Sequence, residues 1–181
     1  MKKLIVVVFV IAVILAALPF ITGNLETKEL NDEARKGLGL KFLQLTDGMV
    51  HYDVSGPERG EVVVLVHGNA APYFSWDKNM AALTGAGFRV IRYDLYGFGY
   101  SDRPDVDYSR ALYDRQLMEL LEKLKIRGPI NLVGTSQGGS IAVYFTATHP
   151  EKVKKLALLS PFINILPMKA IITLIKIPGI G

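Results

Sequence analysis

The chain has 181 residues, half of them apolar, with 21 Lys and Arg against 17 Asp and Glu and a net charge of +4. That length and composition allow one sizeable core and require no second domain. Cysteine is absent, which excludes disulfides and thiolate metal sites; the small positive excess is scattered, and Glu151-Lys152-Val153-Lys154-Lys155 reads as a solvated helix–strand corner, not a nucleic-acid patch.

The N-terminus pairs Lys2-Lys3 with an apolar run from Leu4 to Leu18 that continues past Pro19 to Ile21. A cleaved signal peptide has an apolar core of roughly 7–15 residues, and a spanning helix needs about 18. Ala16-Ala17 runs on into Leu18-Pro19 without a small-x-small cleavage pattern. Residues 1–23 are therefore expected to be an uncleaved signal anchor, with a cleaved signal peptide as the alternative. Under the positive-inside tendency the lysines stay cytoplasmic and the rest is exported. The expected product is a membrane-attached protein, held through residues 4–21, or a secreted one. Residues 24–40 are polar until Gly37 and Gly39 break them, as in a tether.

From Lys41 the pattern changes. Lys41 to Thr46 and Met49 to Val54 read as short strands joined by Asp47-Gly48, a dipeptide that favours a two-residue hairpin. Val62 to Val66 is a continuous β-branched run, as in a strand buried on both faces. A helix is predicted near Trp76 to Thr84 and ends at Gly85 and Gly87. Phe88 to Tyr93 is the next strand. Tyr108 to Lys125 has Leu112, Leu117, Leu120, Leu121 and Leu124 on one face of an amphipathic helix. Ile130 to Val133 is a strand, Ser140 to His149 a helix, and Val153 to Leu159 a strand. Alternating strands and helices imply an α/β fold, a doubly wound, mostly parallel sheet covered on both faces. Ligands in such sheets sit at the carboxyl ends of the strands.

Three segments at that end carry chemistry. Gly134-Thr135-Ser136-Gln137-Gly138 is a G-x-S-x-G turn between a strand and a helix. Such a turn lifts the serine hydroxyl clear of the backbone above a helix N-terminus, and Gly134 and Gly138 leave room where strand and helix nearly meet. Ser136 is the candidate nucleophile. His67-Gly68-Asn69 follows the β-branched strand directly. A tetrahedral intermediate needs preorganised N–H donors for its oxyanion, and the amides of Asn69 and Gln137 are the candidates. His67 is expected to hold its loop and not to act as the base. Arg92 to Pro104 is a turn-rich loop in which Asp94, Ser101 and Asp102 are expected to fix geometry by side-chain to backbone bonds.

In order and spacing these segments resemble the α/β-hydrolase family from about Lys41 to Pro161. The resemblance implies the nucleophile at Ser136, oxyanion-hole amides at Asn69 and Gln137, and Trp76 packing the first helix. It points to the capped, single-domain esterases and lipases acting on small esters or monoacylglycerols, with no cofactor and no metal. Dehalogenases and epoxide hydrolases, which place aspartate at the nucleophile position, match less well.

A serine needs a base, usually a histidine oriented by a carboxylate. His149 is the sole histidine after Ser136. At about 1.5 Å per residue it lies over ~15 Å away along the following helix, and His51 has no evident claim. In the family both partners follow the nucleophile, so they are expected beyond residue 181. Residues 41–163 then read as the N-terminal part of the hydrolase domain and 164–181 as the opening of a cap. The chain alone is expected to be poorly soluble and nearly inactive. The expected function is serine-dependent hydrolysis of a small-molecule carboxylic ester through an acyl-enzyme. The alternatives are a non-catalytic, membrane-anchored interaction protein on the same scaffold, or another chemistry of the fold: peptidase, haloperoxidase or carbon–carbon bond hydrolase.

Overall fold

Val62-Val63-Val64-Leu65-Val66 contains no turn former and no charge, and it forms a central strand, β3 (Val62–Val66). The structure, a computed structural model, describes residues 7–9, 11–15, 18, 30–69 and 71–162. Six strands make one sheet: β1 (Lys41–Leu45), β2 (Gly48–Ser55), β3, β4 (Arg89–Tyr93), β5 (Ile130–Thr135) and β6 (Val153–Leu159). Their spatial order is β1-β2-β4-β3-β5-β6. β1 and β2 are antiparallel, and the other four strands run parallel.

The two faces of β3 divide its side chains as the pleat requires. Val64 and Val66 join the larger core with Ile91, Tyr93 and Leu132 from neighbouring strands. That core is closed by Leu112, Leu117, Leu120 and Leu121 of α3 (Arg110–Lys123) and by Ile141, Ala142 and Phe145 of α4 (Gln137–Thr148). Val63 and Leu65 face the other way, onto Trp76 and the partly buried Met80 and Leu83. Trp76 ends a short 3-10 turn that leads into α2 (Asp77–Gly85).

Element ends differ from the sequence expectation where side chains or close contacts intervene. The hairpin pairs Leu45 with Gly48, so its two-residue loop is Thr46-Asp47 and not Asp47-Gly48. A glycine opens β2 because the Asp102 side chain lies against it, 2.7 Å from where a Cβ would stand. α3 starts at Arg110, where the Ser109 hydroxyl accepts from the Leu112 amide at 3.2 Å. α4 starts at Gln137, three residues before the expected Ser140, because the Ser136 carbonyl already accepts from Gly139 and Ser140.

The segment expected as a tether contains a helix. α1 (Asp32–Gly37) is capped by the Asn31 side chain, which accepts from Ala34 at 2.9 Å. Its Arg35 is buried, pairs with Asp102 and lies over the Phe42 ring. A charge so buried requires a partner, and Asp102 anchors the helix to the Tyr93–Pro104 loop. Half of the expected membrane segment, residues 4–21, lies outside the described residues. Residues 7–9 and 11–15 are helical and exposed. No helix among the described residues is long and apolar enough to cross a membrane, so the expected anchor helix is without structural support. The expected start of a cap, residues 164–181, also lies outside the described residues.

Candidate active site

Ser136 stands between β5 and α4 with φ 50° and ψ −120°. An L-residue in that region is strained by about 1–3 kcal/mol and persists only where its surroundings over-determine it. Here they do. The Ser136 amide donates to the Leu159 carbonyl at 3.1 Å, at the end of β6, and its own carbonyl accepts from Gly139, Ser140 and Phe162. The flanking glycines make the bend possible. A Cβ at Gly134 would strike the Gly138 carbonyl, and one at Gly138 would strike the carbonyl oxygens of Val66 and His67.

Gly68 faces this bend, and a Cβ placed on it would sit 3.0 Å from the Ser136 Cβ. A cavity of about 440 Å³ opens there, lined by Gly68, Asn69, Ser75, Trp76, Asn79, Thr135, Ser136 and Leu159 among others. Asn69 is exposed at its mouth, and Gln137 is the first residue of α4. The nucleophile candidate, the Asn69 loop and a helix N-terminus thus converge on one opening at the carboxyl ends of β3 and β5. Phe74, Tyr96, Phe98 and Phe162 are not among the residues lining it. Tyr96 is fully buried, and Phe98 packs edge-on to the His67 ring.

His67 is buried, and both ring nitrogens are engaged. The Leu95 amide donates to Nε2 at 2.9 Å, and Nδ1 lies 2.7 Å from the Gly68 carbonyl. Nε2 accepts, so Nδ1 carries the proton and donates. Desolvation pushes the His67 pKa down, against the Gly68 carbonyl and Asp94, which raise it. His67 is therefore a neutral brace on its own loop. The Tyr113 hydroxyl is pushed up to about 12, first by burial, so it supplies no base at neutral pH.

The histidines lie elsewhere. His149 follows α4, 3.0 Å from Asp114, at the opposite end of that helix from Ser136. His51, which the sequence left without a role, is buried on β2 with its Nδ1 2.7 Å from Asp94 Oδ2. Asp94 fixes loop geometry as expected, its carboxylate accepting from the Tyr73 and Tyr100 amides at 2.8 and 3.0 Å; its bond with His51 was not foreseen. Asp102 fixes its loop as expected, accepting from the Met49 amide at 2.7 Å, and the Ser101 hydroxyl donates to the Asp94 carbonyl at 2.7 Å. Among the described residues no cluster of His, Asp and Glu is arranged to hold a metal ion.

Comparison with known proteins extends this geometry. The chain is 38% identical over 138 residues to 2-hydroxy-6-oxononadienedioate/2-hydroxy-6-oxononatrienedioate hydrolase 1 of Pseudomonas putida, covering 68% of this chain and 48% of that protein. It is 32% identical over 111 residues to a non-heme chloroperoxidase of Streptomyces lividans, covering 61% and 40%. Among solved structures, the enol-lactonase of Burkholderia xenovorans LB400 superposes with a TM-score of 0.61 at 27% identity, covering 64% of this chain and 45% of that one. The chain spans about half the length, or less, of the curated relatives it matches. The alpha/beta hydrolase fold family matches residues 61–178, a stretch that includes β3, the Asn69 loop and the Ser136 bend, and the chain belongs to that family.

Proposed function

We propose that this chain carries the nucleophile and the oxyanion hole of a serine hydrolase that cleaves small carboxylic esters. The observation that carries the reading is the strained Ser136, held at φ 50° in front of Gly68 at the mouth of the cavity. Ser136 Oγ attacks the ester carbonyl carbon and gives up its proton to a base. The oxyanion that forms is received by the amides of Asn69 and Gln137. Collapse expels the alcohol, which takes a proton as it leaves, and water then hydrolyses the acyl-enzyme. The base is not one of the chain's histidines: both ring nitrogens of His67 are engaged by backbone groups, His149 lies at the opposite end of α4 from Ser136, and neither His149 nor the buried His51 lines the cavity. The likeness to an enol-lactonase supports an ester-type substrate, because a lactone is a cyclic ester.

A second reading has its own support. The Pseudomonas putida relative is named as a hydrolase of an oxo-dicarboxylate without an ester bond, so that its hydrolysis breaks a carbon–carbon bond, and the Streptomyces lividans relative is named as a non-heme chloroperoxidase. Both readings begin at Ser136 and part at the substrate. The test is hydrolysis of short-chain p-nitrophenyl esters, together with fluorophosphonate labelling, by the protein that contains this chain. Ser136→Ala is expected to abolish both. An alanine variant that hydrolyses the ester equally well would overturn the assignment; labelling of Ser136 without ester turnover would favour the carbon–carbon reading.

A further inference from the structure

The Asp94 carboxylate is fully buried and plays no part in the acyl transfer above, yet it gathers donors from separate segments. Its Oδ1 accepts from the Tyr73 amide at 2.8 Å. Its Oδ2 accepts from the Tyr100 amide at 3.0 Å and lies 2.7 Å from His51 Nδ1. The backbone of Asp94 adds to this: its amide donates to the His51 carbonyl at 3.0 Å, and its carbonyl accepts from Ser101 and Gln116. Gly99 has to be glycine at φ 52°, because a Cβ there would stand on the carboxylate.

Tyr73 is the link to the site. It closes the loop that begins at Gly68 and carries Asn69, and a bridge between Gly68 and Ala71 tightens the loop between them. The near end of that loop is held by the His67 ring. The far end is held by Asp94 through the Tyr73 amide, and the Tyr73 ring packs edge-on to His51 at 4.3 Å. A buried carboxylate holds its acceptor geometry firmly because each of its bonds is charge-assisted in a low-dielectric interior.

We propose that His51 and Asp94 act as a positioning pair for the oxyanion loop. By fixing Tyr73 they fix where the Asn69 amide stands relative to Ser136. The proposal rests on the reading of Asn69 as an oxyanion donor.

The experiment is amide hydrogen exchange with two-dimensional NMR on the 181-residue chain. In the unsubstituted chain the Tyr73 and Tyr100 amides should exchange slowly although neither lies in a strand. Exchange at unprotected rates would end the proposal without any variant. Asp94→Asn keeps the shape but loses the charge and one acceptor. It should speed exchange at Tyr73 and Tyr100 by tenfold or more and shift the Asn69 amide resonance, while Val63–Val66 and Leu132–Val133 stay protected. His51→Phe keeps the ring against Tyr73 and removes Nδ1. It should move the same amides by less, and it carries the test if Asp94→Asn does not fold. Gln116→Leu is the control: it removes a buried bond to the Asp94 carbonyl, not to the carboxylate, and should lower stability with the Asn69 resonance in place. An Asn69 resonance unmoved by Asp94→Asn and His51→Phe, or moved equally by Gln116→Leu, would overturn the positioning role. Fluorophosphonate labelling of Ser136 decides the acyl-transfer reading separately.

Discussion

The His67 ring donates from Nδ1 to the carbonyl oxygen of Gly68 at 2.7 Å, and that carbonyl belongs to the same peptide plane as the amide of Asn69. A trans peptide points its C=O and N–H in opposite directions. Holding the Gly68 oxygen against the imidazole therefore turns the Asn69 N–H away from His67. One side-chain bond thus sets the direction of a main-chain donor at the next residue.

His67→Ala should damage stability and chemistry together. It leaves the buried Leu95 amide without its acceptor, which costs about 1–3 kcal/mol, and it frees the Gly68–Asn69 peptide to rotate. Losing one oxyanion donor lowers kcat by roughly 100-fold or more. Urea denaturation reads the first effect, and ester turnover reads the second. An alanine variant with unchanged kcat would show that the Asn69 amide is aimed by something else.

The same ring predicts a pH dependence. Burial holds the His67 pKa below its ordinary value, whereas the unfolded chain titrates near ~6.5. Above that pH both states are neutral at His67 and its contribution is fully present. As pH falls, the unfolded state takes up a proton first, so stability declines through the acid side until the folded pKa is reached. Urea midpoints between about pH 7 and 5 should fall in the unsubstituted chain and fall less in His67→Phe. Equal slopes would assign the acid sensitivity to other groups.

Ser136 presents the opposite balance, a residue held in a strained conformation. Its φ of 50° suits glycine and strains any residue with a Cβ. Ser136→Gly should therefore be more stable than Ser136→Ala by about 1 kcal/mol, and neither should acylate. Thermal unfolding of the two variants side by side checks this. If alanine proves the more stable, the backbone strain is absent. Gly138→Ala should be harmful, because the added methyl meets the carbonyl oxygens of Val66 and His67. Overpacking of this kind costs about 1–3 kcal/mol, and a circular dichroism melt reads it.

Local patterns made much of this legible. Val62–Val66 shows its strand bounds in composition alone, because an apolar, mostly β-branched run ends where polar or turn residues begin. The Ser136 bend was readable because its glycines answer a steric demand within five residues. The His51–Asp94 pair left no such trace. Its partners are 43 residues apart in sequence, and strand alternation hides it, since Val50 and His51 are both buried on opposite faces of β2. Arg35 was opaque for the same reason. Its partner Asp102 lies 67 residues on, and a charged residue in a polar stretch looks like a solvated tether until its partner is placed.

β6 bounds the described sheet, pairing on one side with β5. Leu156, Leu158 and Leu159 are exposed on it, and an apolar sheet edge invites pairing with another chain. Lys154 and Lys155 interrupt that apolar run. Lys154 is tied to Glu61 at 2.7 Å, while Lys155 lines a shallow groove with Val63, Leu83, Phe88 and Val133. Lys155 is thus the charge best placed to discourage association. Lys155→Val should lengthen the apolar run Leu156–Leu159 by one residue and raise self-association of the 181-residue chain at a given concentration. Sedimentation velocity reads the size distribution directly. A distribution unchanged by the valine would mean that β6 is not the surface through which the chain associates.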